Sequence, residues 1–145
     1  MDESNGFYTM KGYEINAHSV PTSSMEDYIE MIYRLTLTGG RVRINDIAAT
    51  LHVKPSSASK MIRQLNLLGY TESEKYTAVT LTEKGLNYGK YLLYRHNVVL
   101  DFLCELNGSD DQLEQAEKIE HYLDKTTVKN LALLKGRLNP ESAQK

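Results

Sequence analysis

The stretch RVRINDIAATLHVKPSSASKMIRQLNLLGY limits the fold more than any other part of the chain. It holds two short apolar stripes at helical spacing: Ile44, Ile47, Ala48 and Leu51, then Ala58, Ile62, Leu65 and Leu68. Only a few residues separate them. Helices this short are marginal alone, so the two stripes must be buried against each other and against a further element. Asn45 is the expected N-cap of the first helix, Pro55 suits the first position of the second, and Gly69 ends it. This is the outline of a helix-turn-helix.

The flanking segments complete a larger pattern. Upstream, TSSMEDYIEMIYRL predicts a helix capped by Ser24, with Met25, Tyr28, Ile29, Ile32 and Leu35 inward and a stop at Gly39-Gly40. Downstream, YTESEKYTAVTLT is short and rich in Thr, Tyr and Val, and predicts a β-hairpin with its tip near Lys75 and Tyr76. Thr82 then caps a long helix ending at Asn107-Gly108, with Leu86, Leu92, Leu93, Val99, Leu100 and Leu103 inward. Two further helices are expected around 110–123 and 126–138. The predicted fold is mainly α, a winged helix-turn-helix followed by an all-helical unit. Its boundaries are an irregular N-terminal arm over 1–20, the winged helix over 21–82, the helical unit over 83–138 and a polar tail over 139–145.

Composition narrows the function. The chain has no apolar run of about 18 residues, so no membrane helix is expected. Its N-terminus lacks the basic and apolar regions of a signal peptide, and a soluble, cytoplasmic protein is the expectation. The only cysteine, Cys104, lies in the apolar run VVLDFLCEL, which excludes a disulfide framework and a thiolate cluster. The net charge of −2 hides an asymmetry: five basic residues against Asp46 over 41–63, and eight acids against Lys118 over 101–124. Ser56, Ser57, Ser59, Lys60 and Arg63 lie opposite the apolar stripe of the Pro55 helix. Serines at a helix N-terminus face phosphate oxygens favourably, and Lys60 and Arg63 are placed for phosphate or a guanine edge. Arg41, Arg43, Lys54, Lys75 and Tyr76 are candidates for flanking contacts with double-stranded DNA.

The acidic segment carries ligand chemistry. Continuing one helix through EKIEHYL puts Glu117, Glu120 and His121 on one side, beside a stripe of Leu113, Ala116, Ile119 and Leu123. Asp27 and Glu30 share a face of the first helix, where Ser24 and Asp27 also read as a capping box, and His96 lies in line with Leu92, Val99 and Leu103. Carboxylate and imidazole without thiolate suit Mn²⁺ or Fe²⁺, and also take Zn²⁺ or Co²⁺. HExxH, GxSxG and Gly-rich phosphate loops are missing, so a regulatory or structural role for a bound metal fits better than catalysis.

SMEDYIEMIYRL, KPSSASKMIRQL, EKYTAVTLTEKG, YRH and IEHYL together resemble the diphtheria toxin repressor family, in particular its branch of manganese transport regulators. The resemblance runs over about 21–138. It implies metal ligands at Asp27, Glu30, His96, Glu117, Glu120 and His121, holding a pair of Mn(II) ions per subunit. It also implies a homodimer on a palindromic operator, repressing manganese-uptake genes. Asp27 and Glu117 replace the Met and Cys of the iron branch, and Leu100 and Leu113 remove that branch's secondary site. His18, in the arm, is an outlying imidazole. The expected mechanism is that clustered acids repel until a cation joins the two lobes. The rival readings are a winged-helix regulator sensing Fe, Zn or a small organic ligand, and a metal-dependent hydrolase.

Overall fold

The structure, a computed structural model, describes residues 21–74 and 78–138. The arm over 1–20 with His18, the hairpin tip with Lys75 and Tyr76, and the tail over 139–145 lie outside the described residues.

Helix α1 (Ser23–Leu37) starts from Thr22, whose hydroxyl accepts a hydrogen bond from Met25 N at 3.2 Å. The expected cap at Ser24 is therefore displaced, because Ser24 already lies in the first turn. Ile29 and Ile32 are fully buried, each contributing roughly 1.5–3 kcal/mol. The helix-turn-helix follows as α2 (Ile44–Leu51) and α3 (Pro55–Leu67). Here too the cap differs from expectation: Arg43, not Asn45, precedes the first turn, and the Asp46 carboxylate accepts from Arg43 N at 3.2 Å. His52 closes α2 in the left-handed region at φ 57°, and Pro55 opens α3.

Strands β1 (Thr71–Ser73) and β2 (Val79–Leu81) pair antiparallel, with Thr71 opposite Leu81. An isolated bridge joins Arg43 to Ala78, and Val79 N donates to Val42 O at 2.8 Å. The sequence did not suggest this third pairing, which ties the wing to the start of α2.

The long helix α4 (Glu83–Asn107) begins at Thr82, as expected. The Thr82 hydroxyl accepts from Gly85 N at 3.1 Å and donates to Gly69 O at 2.6 Å, so one side chain both caps α4 and fastens it to the end of α3. Its inward stripe differs at one end. Leu86 is 45% exposed, and Gly85 and Gly89 are buried instead. An added Cβ at Gly85 would collide with the Tyr70 carbonyl oxygen, and one at Gly89 would lie 2.7 Å from Tyr33 Cβ. Close approach of α4 to α1 and to the wing therefore requires glycine at both positions.

Helix α5 (Leu113–Ile119) is shorter than expected, and the chain then tightens into a 3₁₀ turn, Glu120–Tyr122. Leu113, its first residue, is 49% exposed and does not join the stripe. Helix α6 (Lys125–Leu138) packs on α4 and buries Val128 completely. Two apolar clusters result. One joins α1, α2, α3, the wing and Leu92 of α4; the other joins Val99, Leu103 and Ala116 with Leu100, Ile119 and Leu123. No described helix is long and apolar enough to cross a membrane.

Candidate metal centre and nucleic-acid interface

Between the two apolar clusters, α1, α4 and the 3₁₀ turn bring polar side chains together. Glu30, His96 and Glu120 each offer a ligand atom within 4.8 Å of the others, and His96 Nδ1 lies 2.9 Å from Glu120 Oε2. His96 and Glu120 are buried and Glu30 is half-buried. The hydrogen bond to Glu120 raises the pKa of His96 against the opposing effect of burial, and burial raises that of Glu30. Arg34 Nη2 contacts Glu30 Oε2 at 2.6 Å from one turn further along α1.

A second grouping sits beside the first. His121 Nε2 lies 2.9 Å from Asp27 Oδ1, and His121 Nδ1 lies 2.9 Å from Glu26 Oε1. Burial would lower the His121 pKa, but the contacts with Asp27 and Glu26 outweigh it and push it up to about 9. Glu26 is buried and also accepts from the Tyr88 hydroxyl and from Arg95, at 3.2 and 3.3 Å. Burial would raise the Glu26 pKa; contacts with His121, Tyr88 and Arg95 reverse the shift and hold it below the usual carboxylate range.

Five of the six expected ligands are thus gathered where α1, α4 and the 3₁₀ turn meet. Glu117 stands apart. It is exposed on α5 and has no ion pair or side-chain hydrogen bond among the described residues. Glu117 lies on α5, which ends at Ile119, whereas Glu120 and His121 lie on the 3₁₀ turn that follows, so the three do not share one continuous α-helix. Bare repulsion among the acids is not what the geometry shows either. Arg34, Arg95, His96 and His121 lie among the carboxylates and pair with them.

Sequence reasoning missed Glu26 and Arg95. A signal existed: Glu26 stands three residues before Ile29, on the buried stripe, and Arg95 falls within the inward face of α4 beside His96. Opposite charges at two buried positions of packed helices imply a pair.

The other candidate face is on α3. Ser56, Ser57, Lys60 and Arg63 are exposed, Ser59 is half-buried, and Lys54 is exposed just before the helix. Arg41 and Arg43 are exposed beside the wing. Among the described residues, Arg41, Lys54, Lys60 and Arg63 form no ion pair, so their charge is available to an anionic partner. The N-terminus of α3 directs free backbone N–H groups toward the same side as Ser56 and Ser57.

Comparison with known proteins matches both parts of the chain. Residues 21–79 match the iron dependent repressor N-terminal DNA binding domain, and residues 82–141 match the iron dependent repressor metal binding and dimerisation domain. The HTH-type transcriptional regulator MntR of Lysinibacillus sphaericus is 41% identical over 114 residues, covering 78% of this chain and 82% of that protein. The regulator of the same name from Bacillus subtilis is 38% identical over 125 residues, covering 86% and 88%. Among solved structures, the manganese regulator SloR superposes with a TM-score of 0.68 at 27% identity, covering 76% of this chain and 52% of that one. ScaR with bound Zn²⁺ gives 0.65 at 26%, covering 76% and 52%. This chain therefore spans about half the length of those two proteins. Matched over both of its halves, the chain belongs to the iron-dependent repressor family of metal-dependent, DNA-binding transcriptional regulators.

Proposed function

We propose that this regulator responds to Mn²⁺ and represses manganese-uptake genes from the cytoplasm. The reading divides the chain at Thr82, into a winged-helix reader over 21–82 and a metal-binding and dimerisation unit over 83–138. One observation carries the metal assignment: the donors at the junction are carboxylate and imidazole only, from Asp27, Glu30, His96, Glu120 and His121. Hard oxygen donors with imidazole suit Mn²⁺, and no thiol is near to favour a softer ion. Relatives named as manganese regulators support the same choice. Glu117, exposed on α5, is kept as a sixth ligand because of the family resemblance. A pair of ions per subunit is the number the family resemblance implies; Glu30, His96 and Glu120 would hold one, and Asp27 and His121 would contribute to the other.

A bound ion would supply positive charge shared by α1 and the helical unit. Asp27 and Glu30 belong to α1, which packs on α2 of the helix-turn-helix, so the order of the ligands is passed to the reader through that packing. Coupling of this kind is worth about 1–3 kcal/mol between sites. A homodimer would present one α3 per half of a palindromic operator, with Ser56, Ser57, Ser59, Lys60 and Arg63 toward the groove. Arg41, Arg43, Lys54, Lys75 and Tyr76 would serve the flanking backbone. The role is regulatory, not enzymatic.

Zn²⁺ should bind these ligands at least as tightly as Mn²⁺, so discrimination rests on coordination number and geometry. The expected outcome is that Zn²⁺ binds and activates poorly. Fluorescence anisotropy on an upstream DNA fragment, titrated with each ion, tests this. Equal DNA affinity with both ions would refute the Mn²⁺ assignment and favour a broader divalent-metal sensor.

A further inference from the structure

Glu26 is one residue before a proposed ligand, yet it does not join the Glu30, His96 and Glu120 group. Its position is unusual for a carboxylate, because it is 6% exposed and sits on the core stripe of α1. Burial of that kind is costly unless every lone pair is engaged. Oε2 takes the Tyr88 hydroxyl and Arg95 Nη1. Oε1 takes Arg95 Nη2 at 3.2 Å and His121 Nδ1 at 2.9 Å. Arg95 Nη2 and His121 Nδ1 lie 3.3 Å apart because two donors converge on one oxygen. The arrangement leaves the opposite ring nitrogen, Nε2, directed at Asp27.

From this geometry we infer that Glu26 is a positioning residue for the metal site: it fixes the His121 ring with Nδ1–H donating to Glu26 and Nε2 offered beside Asp27. A ligating histidine needs its second nitrogen held by an acceptor, which sets the tautomer and the ring orientation and strengthens the other nitrogen as a donor. Tyr88 and Arg95 act one step further back. They come from α4 and hold the Glu26 carboxylate still, so that α1 aims an imidazole carried on the 3₁₀ turn. Arg95 engages both oxygens, and the His121 contact is added to that pair on Oε1 at 2.9 Å, shorter than either Arg95 contact. The inference rests on the proposal that His121 is a ligand through Nε2.

The test compares Glu26→Gln, Tyr88→Phe and His121→Ala with the unaltered protein. Mn²⁺ affinity is read by calorimetry, and the Zn²⁺-loaded ring nitrogens are read by long-range ¹H–¹⁵N correlation. Glu26→Gln is expected to weaken Mn²⁺ binding about 10–100-fold, the usual range for loss of such a partner. Tyr88→Phe, which keeps the Glu26 carboxylate and its Arg95 bonds but removes one donor from it, should weaken binding by a smaller factor. The unaltered protein should show His121 bound through Nε2 with its proton on Nδ1, and that pattern should be lost or mixed in Glu26→Gln. If Glu26→Gln does not fold, Tyr88→Phe and the spectrum of the unaltered protein decide. Unchanged Mn²⁺ affinity in the folded Glu26 variant, with His121→Ala weakened, would overturn the inference and leave the ligand set standing. Unchanged affinity in His121→Ala would overturn both.

Discussion

The junction of α1, α4 and the 3₁₀ turn and the exposed face of α3 are both charged, but they are built in opposite ways. The α3 face is local: Ser56, Ser57, Lys60 and Arg63 are neighbours in sequence, on one helix, open to solvent. The junction takes Glu26, Asp27 and Glu30 from one helix, Arg95 and His96 from another, and Glu120 and His121 from a turn ninety-odd residues beyond the first. Its groups are mostly buried and already engaged with one another. A surface that meets a large polyanion needs unpaired charge and little else. A site that must choose a small ion and report it elsewhere needs fixed directions, and buried hydrogen bonds supply them.

The largest effect that would break this comparison is at the proposed ligands. Asp27→Ala or Glu117→Ala should abolish the Mn²⁺-dependent gain in DNA affinity, about 5–150-fold at the usual scale of coupling, while circular dichroism stays unchanged. Retained stimulation in both would mean that Asp27 merely favours a helix N-terminus and Glu117 is an exposed acid. Next come Lys60→Ala and Arg63→Ala. Each should weaken DNA binding and leave Mn²⁺ affinity nearly unchanged. Where the side chain meets a phosphate, its removal should also flatten the salt dependence by about one unit. A large fall in metal affinity from either would contradict the separation of the two faces.

Stability variants sharpen the comparison further. Gly85→Ala forces a methyl against the Tyr70 carbonyl oxygen and is expected to cost about 1–3 kcal/mol in urea unfolding. Thr82→Ala removes the α4 cap and the bond to Gly69 O, at about 1 kcal/mol. Neither residue touches the junction, so Mn²⁺ affinity of the folded variants should follow the unaltered protein. A Thr82→Ala variant as stable as its parent would show that the next residues satisfy the helix end without it.

The same contrast explains what is legible in the sequence. Pro55 at the head of α3, Thr82 at the head of α4 and Gly108 at its end are readable because each acts on the backbone of its own helix end. The caps expected at Ser24 and Asn45 miss by two positions, where several polar residues compete for the same turn and only the tertiary fit chooses. Periodicity alone points Leu86 inward. The close crossing that buries Gly85 and Gly89 depends on Tyr70 and Tyr33, far away in sequence. Glu26 and Arg95 escape a reading of single helices for the same reason, since a buried pair is visible only when two helices are considered together. The wheel through Glu117, Glu120 and His121 assumes an unbroken α-helix, whereas α5 ends at Ile119 and a 3₁₀ turn carries the last two.

One experiment addresses the central claim that the oxygen-and-nitrogen junction drives the reader. The purified protein is titrated with Mn²⁺ while ion stoichiometry and binding to its own upstream DNA are followed together. Metal occupancy and DNA affinity should rise over the same Mn²⁺ range, and both responses should be lost in His96→Ala. Full Mn²⁺ occupancy with DNA affinity unchanged from the chelated sample would contradict the account.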